Sequence, residues 1–124
     1  MRLAILTLVA ALAAAVFTGI AYGHRMNYPG PIRNWLCIHR YEGSWRDVGD
    51  PYWGGLQMDK SFMLTYGLDF VRRHRGGWAN TWTPREQMIA ANRARVGVDW
   101  RGSHWPGPRG YTPWPNTARM CGLL

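Results

Sequence analysis

An apolar run from Leu3 to Ile20, preceded by Arg2 and followed by the small residues Ala21 and Gly23, decides how much of this 124-residue chain is left to fold. A short positive start, an apolar middle and small residues at the exit are the layout of a secretory signal. The run is also long enough to cross a membrane as an uncleaved helix. Residues 1–23 are therefore read as a signal peptide or N-terminal anchor, and both readings export the remainder. About 100 residues are left, enough for one domain with a limited core.

That remainder holds two cysteines, Cys37 and Cys121. A small exported domain gains from a covalent staple, and two cysteines permit one intramolecular pairing. Free thiols or a bridge between chains are the alternatives. Removal of Arg2 from the 15 basic residues leaves 14 against 7 acidic ones, a balance of +7. A basic surface favours anionic polymers or membranes. Export makes nucleic acid a poor partner, and no nucleic-acid motif is present.

Residues 24–33, with Pro29-Gly30-Pro31, read as an extended lead-in, and the folded domain is expected over 34–124. Trp35, Leu36, Ile38 and Tyr41 have helical spacing, so a helix should run to Glu42 and stop at Gly43. Asp47 to Gly55 is dense in turn formers and predicts a loop or short hairpin. Within it, Gly54-Gly55 permits close approach of backbone to another segment or to a ligand. Asp59 can cap a helix that ends at Gly67, with another helical turn or two over Leu68–His74. Arg72 to Arg75 read as a solvated loop.

Thr83-Pro84-Arg85-Glu86 is the clearest local signal, a capping box with proline at the first helical position. That helix should reach Val96 and end at Gly97, burying Met88, Ile89 and Val96. From Trp100 onward the chain is proline-rich and aperiodic, and it is expected to wrap the domain until Cys121. The fold class is small and mainly α, with little strand.

Among seven acidic residues, Glu86 and Asp59 have capping roles, and Asp47 and Asp50 sit in a turn-rich loop where Asp is common. Asp69 and Asp99 have no distinguishing context. Glu42 remains, at the end of an apolar helix, where negative charge is disfavoured by the helix dipole. A carboxyl in an aromatic, partly dry setting holds its proton and can donate it near neutral pH. Eight tryptophans and six tyrosines exceed what one small core needs. Aromatic faces pack on the C–H faces of sugar rings, so a glycan is a fitting ligand. The four histidines lack paired ligand spacing and two lone cysteines make no zinc site, so no metal is expected. No cofactor fingerprint is present either.

The order of these signals is informative. A Cys-bearing helix ends in Glu42 with Trp45 nearby, followed by Tyr52-Trp53-Gly54-Gly55-Leu56-Gln57-Met58 and a short helix. Then come Thr83-Pro84-Arg85-Glu86-Gln87-Met88-Ile89-Ala90, a closing Trp114-Pro115 and the second Cys. This order resembles the transglycosylase-like domain of the resuscitation-promoting factors, a lysozyme-fold family that acts on peptidoglycan. That family reads Cys-Glu-Ser-Gly-Gly-x-Trp, Tyr-x-Gly-Gly-Leu-Gln, Thr-Arg-Glu-Gln-Gln-Ile-Ala and Trp-Pro-x-Cys. The resemblance covers Trp35 to Cys121 and implies a small lysozyme-like domain with one disulfide, associated with the cell wall. It implies that Glu42 is the catalytic acid and that Tyr52, Gly54, Gly55, Leu56 and Gln57 form a substrate-groove element, with Trp45 and Trp53 as companions. The partner implied is the glycan strand of peptidoglycan.

Two departures stand out. Cys37 and Cys121 are each displaced by four residues from the family's positions, the first upstream and the second downstream. Four residues are about one helical turn, so the bridge can form one turn along. The stretch from Glu42 to Trp45 is also two residues shorter than the family's. Most glycosidases use two carboxylates; the family's relatives among the lytic transglycosylases use one Glu. The competing classes are a non-catalytic wall-glycan-binding module and an exported partner or inhibitor protein.

Overall fold

A computed structural model describes residues 27–124. The expected signal segment, 1–23, and the first residues of the lead-in lie outside the described residues. The described part is mainly α: five helices, one hairpin of two-residue strands and a 3-10 turn at Ala79–Thr81. Helix α1 spans Ile32–Glu42 and buries Trp35 and Ile38. Gly43, at φ 147°, ends it and donates its N–H to the His39 carbonyl at 3.2 Å. Strands β1 (Val48–Gly49) and β2 (Tyr52–Trp53) pair antiparallel, Val48 opposite Trp53, through a turn with a cis Asp50–Pro51 bond.

Helix α2 (Lys60–Tyr66) is capped by Asp59, whose Oδ1 accepts from the Phe62 N–H at 2.7 Å. Helix α3 (Leu68–Arg73) follows after Gly67. Helix α4 (Pro84–Val96) carries both arms of the expected box. The Glu86 N–H donates to Thr83 Oγ1 at 3.2 Å, and the Thr83 N–H donates to Glu86 Oε2 at 3.0 Å. Gly97 takes the left-handed conformation that ends such helices at little steric cost.

The last helix, α5 (Pro115–Met120), was not legible in the proline-rich segment. Six residues are too few for a periodic pattern, and Pro115 serves as a first helical residue rather than a breaker. The lead-in also does more than lead in. The Tyr28 carbonyl accepts from Asn92 Nδ2 at 2.9 Å, and the Pro29 carbonyl accepts from Trp35 Nε1 at 2.6 Å.

Helix α4 is the axis of the core. Ala90, Ala91 and Ala94 are fully buried, and their small side chains let Trp35, Ile38, Leu56, Met63 and Trp82 gather in the same core. Val96, expected on the buried face, is half-buried instead. Gln87, Asn92 and Arg93 are buried in addition to Met88 and Ile89, because the helix is enclosed on more than one side. Enclosure of polar side chains is tolerable only with partners. No buried side-chain nitrogen or oxygen among the described residues lacks one.

In the run at 72–75, Arg72, Arg73 and Arg75 are exposed as expected and His74 is half-buried, but Arg72 and Arg73 end α3 rather than forming a loop. Arg73 and His74 turn back onto Glu86 at 3.0 and 2.7 Å, and Arg72 lies 5.1 Å from the centre of the Trp100 ring. Burial pushes the Glu86 carboxyl up, but the Thr83 N–H, His74 and Arg73 outweigh it and hold the group below the ordinary glutamate range. A depressed folded-state value means the contribution is present above the unfolded value of about 4.3 and lost as pH falls through the lower folded one. Urea denaturation of wild type and Glu86→Gln should therefore show a gap at about pH 6 that narrows by about pH 3. A constant gap would assign the Glu86 contribution to packing alone.

Cys37 and Cys121 form the one disulfide, joining α1 to the residue after α5 across 84 positions. Closing a loop of this length stabilises a fold by about 4–5 kcal/mol in the chain-entropy picture. The bridge has a positional consequence too, because it clamps α5 beside the end of α1.

Candidate functional site

The clamp brings Thr117, on α5, to Glu42. Thr117 Oγ1 donates to Glu42 Oε1 at 2.8 Å, across 75 positions of sequence. Oε2 has no hydrogen-bond partner among the described residues. Glu42 is half-buried, the last residue of its helix, and lines an open cavity of about 260 Å³ with Tyr52, Gln57, Pro113 and Trp114. A second cavity of about 240 Å³ shares those last four residues and continues past Asp59 and Phe62. A third, toward the hairpin, shares Tyr52 and Gln57 and is edged by Asp47 and Asp50. The three are one trough crossing the domain, with Gln57 at their junction.

Gln57 is held there by its own backbone. It sits at φ 49°, the left-handed region that non-glycine residues rarely occupy. Its Nε2 donates to the Gly54 carbonyl at 2.8 Å and to Asp47 Oδ2 at 3.2 Å. An amide fixed in this way presents a preset polar contact to whatever lies in the trough.

Of the residues singled out from sequence, Glu42, Tyr52 and Gln57 meet at this trough. Trp53 and Leu56 are buried in the core, and Leu56 contributes only its carbonyl, which accepts from Trp114 Nε1 at 2.7 Å. Gly54 and Gly55 are buried beneath the trough, and their close approach is to protein. The Gly55 N–H donates to Gln87 Oε1 at 2.9 Å, and a Cβ on Gly54 would stand 2.4 Å from that same oxygen. Trp45 turns away from Glu42 and stacks on His39, with ring centres 3.9 Å apart. It lines a separate concavity with Arg46, Asn80 and Thr83.

The sequence reading missed that Pro113 and Trp114 form one wall of the trough and that buried Thr117 bonds to Glu42 behind it. The Trp114-Pro115 pair was visible, but its placement opposite Glu42 depends on the disulfide and the Trp114–Leu56 hydrogen bond. Gln87 was missed as well. Its Nε2 donates to the carbonyls of Trp45 and Ala79 at 2.9 and 2.8 Å, so one buried amide ties the hairpin side of the trough to α4.

The electrostatics of the trough oppose those of the whole chain. Glu42, Asp47, Asp50 and Asp59 edge it, and no Arg, Lys or His lines any of its three cavities. Aromatic and proline faces alternate there with carboxylates and an amide, a surface suited to an uncharged amphipathic polymer. Among the described residues, no three His, Cys, Asp or Glu side chains gather to hold a metal ion. No known family, no characterised protein and no solved structure matches the chain.

Proposed function

We propose that this protein cleaves the glycan strand of peptidoglycan, with Glu42 as the single acid and base on a small lysozyme-like domain. The observation that carries the reading is a carboxylate with one oxygen held by Thr117, lining a trough that no cationic side chain lines. In protonated form, Glu42 gives its proton to the oxygen linking N-acetylmuramic acid to N-acetylglucosamine, and the C1–O bond breaks. The substrate's own acetamido oxygen stabilises C1 as positive charge develops. The Glu42 carboxylate then takes a proton from the muramic 6-hydroxyl as its oxygen bonds to C1, giving an anhydro end, or from water as its oxygen bonds to C1, giving a reducing end. Either outcome restores the acid.

Incubation of the oxidised protein with purified peptidoglycan, with products read by mass spectrometry, tests this. Anhydro-muropeptides or new reducing ends support it; intact glycan with the protein bound moves the assignment to a non-catalytic glycan-binding module. The position of Trp45 favours that second reading. After the shortened segment from Glu42, its ring packs on His39 rather than beside the acid.

Thr117→Val keeps the shape of the side chain and removes the hydroxyl. A lost hydrogen bond to a charged group corresponds to about 1.5–3 kcal/mol. Turnover, measured well below the melting transition, should fall by about tenfold or more, and the melting temperature should drop by about 4–8 °C for each kcal/mol lost. Unchanged turnover would mean that the Thr117 contact is structural.

A further inference from the structure

Seven of the eight tryptophans are buried or half-buried, whereas Trp105 is 41% exposed. Exposure alone would mean little on a proline-rich loop, but the backbone of this loop is held on both sides of Trp105. The Trp105 backbone N–H donates to the Gly97 carbonyl at 2.9 Å, and His104 pairs with Val98 in a β-bridge beside it. Upstream, Asp99 Oδ1 accepts from the N–H groups of Arg101 and Ser103 at 2.8 and 3.0 Å, and the Trp100 N–H donates to the Thr65 carbonyl at 2.9 Å. Downstream, Gly107 passes so close that a Cβ there would stand 2.9 Å from both the Trp105 ring and the Tyr66 hydroxyl. The loop is thus anchored to α2 and to the end of α4, and the Trp105 indole lies beside Gly107, partly open to solvent.

What that indole faces is a continuation of the trough. A cavity of about 220 Å³, lined by Trp105, Pro108 and Tyr66, shares Asp59 and Phe62 with the middle cavity. No Arg, Lys or His lines this end either. Successive cavities thus share lining residues from Glu42 past Tyr52 and Gln57 to Phe62 and Trp105, with the acid at one end and an aromatic ring at the other. Leaving an indole in water forfeits the burial that normally rewards it, since such a ring covers about 150–250 Å² when packed. Anchoring its backbone in advance reduces the entropy lost when a ligand docks.

We propose that Trp105, with Pro108 beside it, is a remote sugar platform. It stacks on a pyranose ring of the strand whose glycosidic bond lies at Glu42, two cavities along from the acid. This rests on the glycan reading of the Glu42 trough and adds a length requirement to it. The platform sets how long a strand the protein prefers, because short oligosaccharides at Glu42 do not reach it.

Calorimetric binding of the N-acetylglucosamine trimer and hexamer to the oxidised Glu42→Gln protein, with and without Trp105→Ala, tests the platform in the absence of turnover. The hexamer should bind more tightly than the trimer, and Trp105→Ala should weaken the hexamer by about tenfold, equivalent to about 1.4 kcal/mol. Trimer affinity should be unchanged, and Trp105→Tyr should restore most of the hexamer's. Equal loss for both oligomers would make Trp105 a structural residue and overturn the platform. Hexamer affinity unaffected by Trp105→Ala would overturn it too, while leaving the trough reading intact. Absence of binding by either oligomer would remove the trough reading and the platform together.

Discussion

Asp69→Ala is expected to destabilise the fold by about 3–5 kcal/mol, the range for removing one partner of a buried ion pair. The Arg93 side chain is fully buried, and both its terminal nitrogens donate to the Asp69 carboxylate, at 2.8 and 2.9 Å. Its NH1 also reaches the Tyr66 carbonyl at 2.8 Å, and its guanidinium lies 4.8 Å from the Phe70 ring centre. Alanine at 69 leaves that charge inside the protein without its counter-charge. Asp69 retains 26% side-chain exposure, so water entering beside it moderates the loss toward the lower end. Against a total of about 5–15 kcal/mol for a domain of this size, that is a large share. Urea denaturation checks it. A midpoint corresponding to less than about 1 kcal/mol of loss would mean that water already solvates the pair. The double replacement Asp69→Leu with Arg93→Met should be milder than Asp69→Ala, because it leaves no unpaired charge.

Glu42→Gln is expected to remove muralytic turnover, by a factor on the order of 10²–10⁴, the range for losing a positioned acid–base group. Gln keeps the shape of the side chain and an oxygen able to accept from the Thr117 hydroxyl. The half-buried site should therefore refold around it with a similar melting temperature and retained glycan binding. Rates of product release from peptidoglycan, with the fold confirmed by circular dichroism, provide the measurement. Full activity in a folded Glu42→Gln protein would remove Glu42 from the chemistry. Asp47, which holds Gln57 at the far side of the junction, would then be the next carboxylate to test.

Much of the local structure was legible before any coordinates. The capping box at Thr83–Glu86, the Asp59 cap and the stops at Gly43, Gly67 and Gly97 depend on atoms a few residues apart. Short-range chemistry of that kind is written directly in sequence. The hairpin over Asp47–Gly55 was equally open to reading from its turn residues. Helix α5 was not, because a six-residue helix offers no period and its prolines point toward a loop. The Arg93–Asp69 pair was hidden for a related reason. Nothing about an arginine on an alanine-rich helix reveals that its face will be enclosed.

The trough divides along the same line. Glu42 stood out from its position at a helix end, and Tyr52 and Gln57 from the order of motifs around them. Gly54 and Gly55 were rightly read as places of close approach, but only packing could decide that Gln87 and Trp45, and not a ligand, make that approach. Trp45 and Trp53 had equal claims in the sequence to stand beside the acid; the stacking on His39 and the demands of the core direct them elsewhere. Sequence by itself determined the stops of α1, α2 and α4, the caps of α2 and α4, the mainly α class and the candidate acid, because each follows from neighbours along the chain. Tertiary structure alone decided which wall faces Glu42. Thr117, Trp114 and Trp105 reach their places through a disulfide, a buried indole hydrogen bond and a pinned loop, contacts that span tens of residues and leave no local signature.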